Sequence, residues 1–200
     1  MINANELTRY INTSTRAGRV ACLPFPLTVG LTRTELSVIT ALLNGLDAEA
    51  ISRLLRRSVK TIYSHKRECM RKLGLESNAM IYALGALLGP TSLYENQRIN
   101  RKLSLRETDV FRLLLQGGTV SSMSRELGVN MKTISTYKRT LMYKLNIINQ
   151  VELFALEPHS AFMLLSQWES IAVLEKYARF NLLRDSLFML LHRKNGEQKF

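Results

Sequence analysis

Apolar residues recur at intervals of three and four along most of the chain, a period that is typical of amphipathic α-helices. In the first clear example the inward positions are Leu36, Ile39, Leu42 and Leu43. Thr32 and Glu35 fit the capping box that starts such a helix, and Gly45 is suited to end it. Three further helix starts are predicted, at Asp47, Ser58 and Ser77. No segment has a convincing strand pattern.

The chain carries this pattern twice. Residues 59–73 read VKTIYSHKRECMRKL, and 72 residues later the chain reads MKTISTYKRTLMYKL at residues 131–145. When Leu31 is placed on Leu103, glycines, caps, basic residues and core positions match without gaps. In the second copy, Asn130 and Asn149 are predicted to cap the third and fourth helices. The repeat is too long for a solenoid unit, so each copy is expected to have its own core.

Each copy is predicted to contain four short helices, with a tight turn between the second and the third, as in a helix-turn-helix module. We therefore expect an all-α protein with two tandem four-helix modules and a C-terminal helical extension. The predicted division is an N-terminal helix and arm at residues 1–30, a first domain at 31–89, a linker at 90–102, a second domain at 103–156 and the extension at 157–200.

The extension is predicted to contain two amphipathic helices. Ser160 is expected to start the first, which aligns Leu164, Trp168, Ile171 and Leu174. Asn181 is expected to start the second, with Leu183, Leu187, Leu190 and Leu191 on one face. We favour an extension packed on the second domain, with Trp168 in the core. The alternative is an element for dimerisation or for docking of a partner.

Charge and composition narrow the class of protein. The formal charge of +12 favours an anionic partner, such as nucleic acid or an acidic membrane surface. The amino terminus lacks a signal-peptide pattern, and no apolar run approaches the ~20 residues of a membrane span. The 2 cysteines and 3 histidines match no disulfide framework or metal spacing. Without a phosphate loop or a nucleophile–base pair, we expect a cytoplasmic protein with no catalytic activity, cofactor, metal or membrane partner.

The third helix of each copy is predicted to have an apolar inner face and a basic outer face. In the first copy the inward set is Ile62, Cys69 and Leu73, and the outward set is Lys60, Ser64, Arg67 and Arg71. In the second copy the inward set is Ile134, Leu141 and Leu145, and the outward set is Lys132, Thr136, Arg139 and Tyr143. A merely solvated face is the alternative, but the basic residues cluster in this segment of both copies.

These segments resemble a known family. LTRTELSVI, LLNGLDAEAIS and SVKTIYSHKRECMRKLGL are similar to the DNA-binding domain of the LuxR/GerE/FixJ family, and LSLRETDVF through NMKTISTYKRTLMYKLNI is similar to it again. The resemblance covers residues 31–89 and 103–156, and the second copy is nearest to Rcs-type enterobacterial regulators. The copies depart from the family at Ser52 and Ser124, and Tyr137 replaces the histidine that His65 retains.

The resemblance implies a sequence-specific transcriptional regulator that places residues 59–73 and 131–145 in the major groove of double-stranded DNA. Lys60 and Arg67 are expected to read guanine, whereas Lys66 and Lys72 are expected to hold phosphates. The predicted DNA-binding residues are Lys60, Thr61, Tyr63, Ser64, Lys66, Arg67, Arg71, Lys132, Thr133, Ser135, Thr136, Lys138 and Arg139. Such a regulator is expected in the cytoplasm, associated with the nucleoid.

The fourth helix of the first copy is apolar on more than one face, which predicts a partner surface. Its apolar residues are Met80, Ile81, Leu84, Leu87 and Leu88. In one interpretation the second copy docks there, and the chain is a covalent pseudo-dimer that reads two unlike half-sites. In the other, the fourth helices or the C-terminal helices pair with a second copy or a related regulator. The alternative function is a co-regulator that alters the DNA binding of that partner.

Overall fold

The computed structural model describes residues 9–10, 20–89 and 102–174. Within these ranges every regular element is helical, which confirms the all-α expectation. The first helices are α1 (Phe25–Thr28), α2 (Arg33–Leu43), α3 (Ala48–Leu55), α4 (Val59–Leu73) and α5 (Asn78–Leu88). They are followed by α6 (Leu105–Leu115), α7 (Val120–Leu127), α8 (Met131–Lys144), α9 (Gln150–Leu156) and α10 (Pro158–Leu165).

Helices α2 to α5 form the first module, and they start at the predicted caps. Thr32 Oγ1 accepts the backbone N–H of Glu35, and Glu35 Oε2 accepts the backbone N–H of Thr32 at 2.7 Å, which completes the capping box. Side chains cap the next three helices at Asp47, Ser58 and Ser77. Each cap satisfies a backbone donor that has no partner within its helix.

Helices α6 to α9 repeat this arrangement in the second module. Ser104 and Glu107 form the matching capping box. The later helices are capped by Thr119, Asn130 and Asn149. Both modules have buried apolar residues, which include Val38, Ile51 and Ile62 in the first and Val110, Met123 and Ile134 in the second. These residues belong to one continuous cluster rather than to the two separate cores that the sequence predicted. The predicted pair of four-helix modules is confirmed.

The turn before the third helix is closed by the same hydrogen bond in both modules. Ser52 Oγ and Ser124 Oγ each donate to the backbone carbonyl five residues later, at 2.6 Å. The chain reverses through a left-handed residue, which is Arg56 with φ 51° in the first module and Gly128 with φ 66° in the second. Glycine adopts this conformation freely, whereas an arginine is disfavoured there. The two turns therefore share a bond but differ in backbone strain.

The two modules pack against each other through their fourth helices. Helix α5 lies against α9 and α10 of the second half of the chain. Its buried apolar residues include Met80, Ile81, Leu84 and Leu87, and Leu88 is half-buried. The sequence predicted these residues as a partner surface, and in the structure the partner that covers α5 is the same chain.

Equivalent loops make equivalent contacts across this junction. Gly45, after α2, has φ +82°, and a Cβ added there would collide with the side chain of Asn149, the N-cap of α9. Gly117, after α6, would place an added Cβ 3.5 Å from Ala79, near the start of α5. The end of each first helix therefore meets the start of the other module's fourth helix. This exchange resembles the isologous contacts of a two-fold dimer.

Residues 20–30 form an arm that packs on the first module. The backbone N–H of Ala21 donates to Asn44 Oδ1, and Asn44 Nδ2 donates to the carbonyl of Ala21, both at 2.9 Å. Leu23 and Leu27 are buried beside them. The predicted extended arm therefore includes one helical turn, α1. Of the helix predicted before it, the structure describes Arg9–Tyr10, which are helical.

The first helix of the extension differs from the prediction. Helix α10 starts at Pro158 rather than Ser160, because proline at the first position has a helical φ and loses no hydrogen bond there. It ends at Leu165, whose carbonyl accepts the backbone N–H of Trp168 at 2.9 Å in the turn that follows. Trp168 lies beyond α10 but is buried as predicted, with 3% exposed. The helix predicted from Asn181 lies outside the described residues.

Candidate nucleic-acid interface

Helix α4 has the predicted inner and outer faces. The buried residues are Ile62, Cys69 and Leu73. The exposed residues are Lys60, Tyr63, Ser64, Arg67 and Arg71, and the half-buried ones are Thr61 and Lys66. The inner face holds α4 on the module and leaves a basic face open to solvent.

Helix α8 repeats this arrangement. Its buried residues are Ile134 and Leu141, followed by Leu145 at the C-cap. The exposed residues are Lys132, Ser135, Thr136 and Arg139, and the half-buried ones are Thr133 and Lys138. Lys60 and Lys132 are equivalent in the repeat, as are Arg67 and Arg139. Both copies therefore present two exposed cations at the same helical positions.

Cys69 belongs to the core of the first module. Its Sγ donates to the carbonyl of Glu35 at 3.3 Å. Burial raises the pKa of this thiol to about 12. A thiol held protonated is a poor nucleophile, so Cys69 is a packing residue, as the sequence predicted.

Three hydroxyl groups on the outer faces already donate within their own helices. Ser64, Ser135 and Thr136 each donate to the backbone carbonyl four residues earlier. A hydroxyl whose proton is engaged still has lone pairs that accept hydrogen bonds. These side chains are therefore suited to accept hydrogen bonds from donors on base edges, such as the amino group of adenine or cytosine.

Thr61 and Thr133 are tied into the caps of their helices. Thr61 Oγ1 lies 2.8 Å from Ser58 Oγ, and Thr133 Oγ1 donates to Asn130 Oδ1 at 2.9 Å. Phosphate oxygens only accept hydrogen bonds, so Thr133 must release its cap bond before it can donate to a phosphate. Both threonines therefore stabilise the start of the third helix in the free protein.

Lys66 and Lys138 occupy equivalent positions at the edge of the outer faces. Burial lowers the pKa of both amines. Lys66 Nζ also lies 6.0 Å from the centre of the Tyr63 ring, at the limit of a cation–π contact. An ammonium group that is partly removed from water is stabilised by a nearby anion. Both amines are therefore suited to contact a phosphate.

Arg71 is exposed, but its charge is already paired. Arg71 Nη2 lies 2.6 Å from Glu68 Oε1, and Arg71 Nε donates to Glu68 Oε2 at 3.1 Å. The hydrogen bond from Arg71 lowers the pKa of Glu68. This ion pair makes Arg71 a weaker candidate for anion binding than Lys60 or Arg67. In the second copy the two positions are Thr140 and Tyr143.

Lys72, for which the sequence predicted a phosphate contact, makes contacts within its own module. Its Nζ donates to Glu35 Oε2 at 2.8 Å and to the carbonyl of Gly30 at 3.1 Å. Lys144 Nζ donates to Glu107 Oε2 at 2.7 Å in the second module. In each pair, the hydrogen bond from lysine lowers the pKa of the carboxyl group. Both lysines hold the end of a third helix against the start of a first helix.

Two exposed arginines precede α4, and the reasoning from helix faces missed them. Arg56 and Arg57 lie in the turn just before the helix. The second module has Gly128 and Val129 at these positions. The sequence does show this basic pair next to a helix start. Helical spacing predicts exposure only for residues within a helix, so it did not identify two residues in a turn. The first module therefore has more positive charge at the entry to its third helix.

Metal-binding clusters and membrane-spanning helices are both absent from the part of the chain that the structure describes. No group of three or more His, Cys, Asp or Glu residues there could hold a metal ion. Among the same residues, no helix is long and apolar enough to cross a membrane. The candidate site consists of the exposed basic faces of α4 and α8 described above.

Two helix-turn-helix modules with basic, exposed third helices define a class of nucleic-acid-binding regulators. The family model for GerE, bacterial regulatory proteins of the luxR family, matches residues 29–84 and again residues 101–156. These matches cover more than half of the chain, which therefore belongs to the luxR family of bacterial regulatory proteins. No curated protein and no solved structure gives a significant match. Membership supports a DNA-binding transcription regulator and points to a non-enzymatic function.

Proposed function

We propose that this chain is a sequence-specific transcriptional regulator whose helices α4 and α8 each enter a major groove of double-stranded DNA. The observation that carries the proposal is the repeated outer face of the two third helices. Lys60 and Lys132 are exposed at one shared position, and Arg67 and Arg139 at another. Exposed cations on a helix that is anchored by its opposite face can reach base edges and phosphates.

The side chains of the outer faces are proposed to make two kinds of DNA contact, to base edges and to phosphates. Arg67 and Arg139 are proposed to donate to guanine O6 and N7, with Lys60 and Lys132 reading near the start of each helix. Ser64, Tyr63, Ser135 and Thr136 are proposed to accept from base edges or touch a thymine methyl group. The proposed phosphate contacts are Lys66, Lys138, Thr61, Thr133 and, in the turn, Arg56 and Arg57. Arg71 is proposed to contribute after its pairing with Glu68 loosens.

The packing of α5 against α9 and α10 supports a tandem reader within one chain. We propose the domain division 1–30, 31–89, 90–102, 103–156 and 157–200, with the two middle domains as the readers. The readers differ at Tyr63 and Ser135, so the two half-sites are proposed to differ in sequence. The form of residues 132–142 leads us to place the second copy nearest to Rcs-type regulators. DNA as the partner locates the protein in the cytoplasm, with the nucleoid.

The alternative is a co-regulator that pairs with another LuxR-type protein and alters its DNA binding. Pairing through α5 would require its contacts with α9 and α10 to open, because α5 already packs against both helices within this chain. Pairing through the C-terminal helices would leave these contacts in place. The exposed cations on both third helices favour direct DNA binding over this alternative.

Selection of bound duplexes from a random pool tests the proposal. The wild-type chain is compared with Lys60→Ala/Arg67→Ala and Lys132→Ala/Arg139→Ala, each of which changes one outer face. Arg106→Ala/Arg112→Ala serves as the matched control, because it removes the same charge from α6. We expect a motif with two unlike halves, of which each reader variant loses one and the control loses none.

Other outcomes separate the hypotheses. A single enriched half, lost in only one of the two reader variants, would mean that one module reads DNA alone. Salt-sensitive binding without an enriched motif would contradict sequence-specific recognition and favour the co-regulator. Equal weakening by all three variants would mean that net charge, rather than the outer faces, drives binding.

A further inference from the structure

One buried hydrogen bond joins two distant parts of the chain. Trp168 Nε1 donates to the carbonyl of Leu73 at 2.7 Å, across 95 residues of sequence. Leu73 is the last residue of α4, where helix carbonyls lack partners within the helix. The indole of Trp168 is only 3% exposed. The bond therefore closes the end of the first recognition helix with a residue that follows the second module.

The backbone of Trp168 is anchored on the other side. Its N–H donates to the carbonyl of Leu165, and its own carbonyl accepts the N–H of Ile171, both at 2.9 Å. Leu165 ends α10, which packs against α5, α6 and α9. The indole thus extends from a segment that packs on α5 of the first module and on α6 and α9 of the second, and it donates to the end of α4.

We propose that Trp168 sets the position of α4 relative to the second module and thereby sets the half-site spacing that the chain accepts. This inference rests on the proposed function, since spacing has meaning only for a reader of two half-sites. Trp168 is a positioning residue, because it acts through α4 and touches no DNA.

The physical reason is the short range of the bond. Each base pair added between two half-sites moves one of them about 3.4 Å along the duplex and turns it by about 35°. A hydrogen bond weakens steeply once its heavy atoms separate beyond about 3.5 Å. A shift of α4 by one base pair relative to Trp168 and the second module therefore requires the Trp168–Leu73 bond to break. The bond therefore favours one half-site spacing over spacings that are one base pair longer or shorter.

The first test measures affinity on a set of duplexes. Each carries both selected half-sites, at the selected spacing or with one or two base pairs added or removed, and further duplexes carry a single half-site. Trp168→Phe keeps an apolar ring and loses only the N–H donor and part of the volume. Leu165→Val is the matched control, because it removes a buried methylene from the same segment and keeps the indole.

For the wild type we expect a clear preference for one spacing. For Trp168→Phe we expect that preference to fall at least fivefold, while affinity for single half-sites stays within twofold of the wild type. Leu165→Val should keep the wild-type preference. An unchanged preference in Trp168→Phe, or an equal loss in the control, would overturn the inference and leave the proposed function intact.

A second measurement, made without DNA, distinguishes failure of the inference on Trp168 from failure of the proposed function. Spin labels at Ser64→Cys and Thr136→Cys, in a Cys22→Ser background, report the distance between α4 and α8 in the free chain. We expect one narrow distance distribution for the wild type and a broadened one for Trp168→Phe. If the distribution does not broaden, Trp168 does not position α4. If it broadens but the wild-type chain shows no spacing preference on DNA, the spacing role fails. If the wild-type chain binds two half-sites no more tightly than one, the tandem-reader proposal fails, and the spacing role fails with it.

Discussion

The two modules share several internal bonds and differ in part on their outer faces. Ser52 and Ser124 close the two turns with the same 2.6 Å bond. Lys72 and Lys144 make the same ion pair with a capping glutamate. On the outside, Arg71 is paired with Glu68 in the first module, whereas the second module has neither charge. The two copies thus combine one scaffold with two different surfaces.

This difference follows from burial. A substitution at a buried bonded position leaves an unsatisfied group or a cavity, and either is costly. A substitution on a solvated helix face usually changes stability little. The outer faces are therefore free to differ in sequence while the scaffold stays the same.

The largest expected effect tests whether the modules fold as one unit. Ile62→Ala and Ile134→Ala each remove a fully buried side chain from equivalent positions. Each is expected to lower the free energy of unfolding by about 2–5 kcal/mol. Because α5 packs on α9 and α10, we expect one shared urea transition, followed by circular dichroism and by tryptophan emission. Two transitions, each sensitive to one substitution, would show that the modules unfold separately.

The next largest expected effect is a loss of DNA affinity and sequence specificity. Arg67→Ala and Arg139→Ala are each expected to cost about 1–3 kcal/mol at the preferred duplex and to relax specificity in opposite halves of the motif. Lys66→Ala and Lys138→Ala should instead weaken binding on all sequences and flatten its salt dependence. Anisotropy titrations on duplexes with one scrambled half measure both effects. A loss that is equal on every sequence would contradict base reading by the two arginines.

The ion pairs of the scaffold should give a smaller, pH-dependent effect. Lys72→Met and Lys144→Met are each expected to destabilise the chain by about 1–2 kcal/mol at neutral pH, because a buried carboxylate loses its partner. The folded-state pKa of Glu35 and Glu107 lies below the ordinary value. The stabilisation is therefore full above the unfolded pKa of about 4.3 and is lost as the pH falls through the lower folded pKa.

Urea midpoints measured from pH 7 down to pH 3 test this dependence. The wild type should lose stability more steeply on acidification than either lysine variant. Parallel curves for all three proteins would mean that these pairs contribute nothing to acid sensitivity.

The smallest effect comes from the turn that differs between the modules. Arg56→Gly relieves a left-handed arginine and should raise the free energy of unfolding by about 0.5–1 kcal/mol. If Arg56 contacts a phosphate, the salt slope of DNA binding should fall by about 0.9. The reverse substitution, Gly128→Arg, should change both quantities in the opposite direction. A gain in stability with an unchanged salt slope would exclude a phosphate contact by Arg56.

Features set by local sequence were predictable. The caps at Ser58 and Asn130 and the buried positions of both third helices follow from neighbouring residues and helical period. The ion pairs were missed, because Lys72 meets Glu35 across 37 residues, and helical spacing says nothing about such a contact. The aligned apolar residues after Ser160 suggested a helix longer than α10. Such residues also fit a turn that packs on a core, so their spacing alone could not locate the end of the helix.

The apolar character of α5 predicted a second contact surface but could not identify what covers it. That depends on where the second module docks, which is a property of the tertiary structure. The exposure of Lys60 and Arg67 was predictable from helical spacing. Their contacts with bases depend on the duplex itself and stay predictions.

The packing of α5 against α9 within one chain also affects how a cell can use such a regulator. A reader that assembles from two chains must first associate, so at low abundance its occupancy of an operator rises with the square of its concentration. If both third helices bind DNA, as proposed, the two readers lie on one chain and the second half-site is met at a high local concentration. Operator occupancy then rises in simple proportion to the number of molecules, giving a graded dose response that begins with the first few copies.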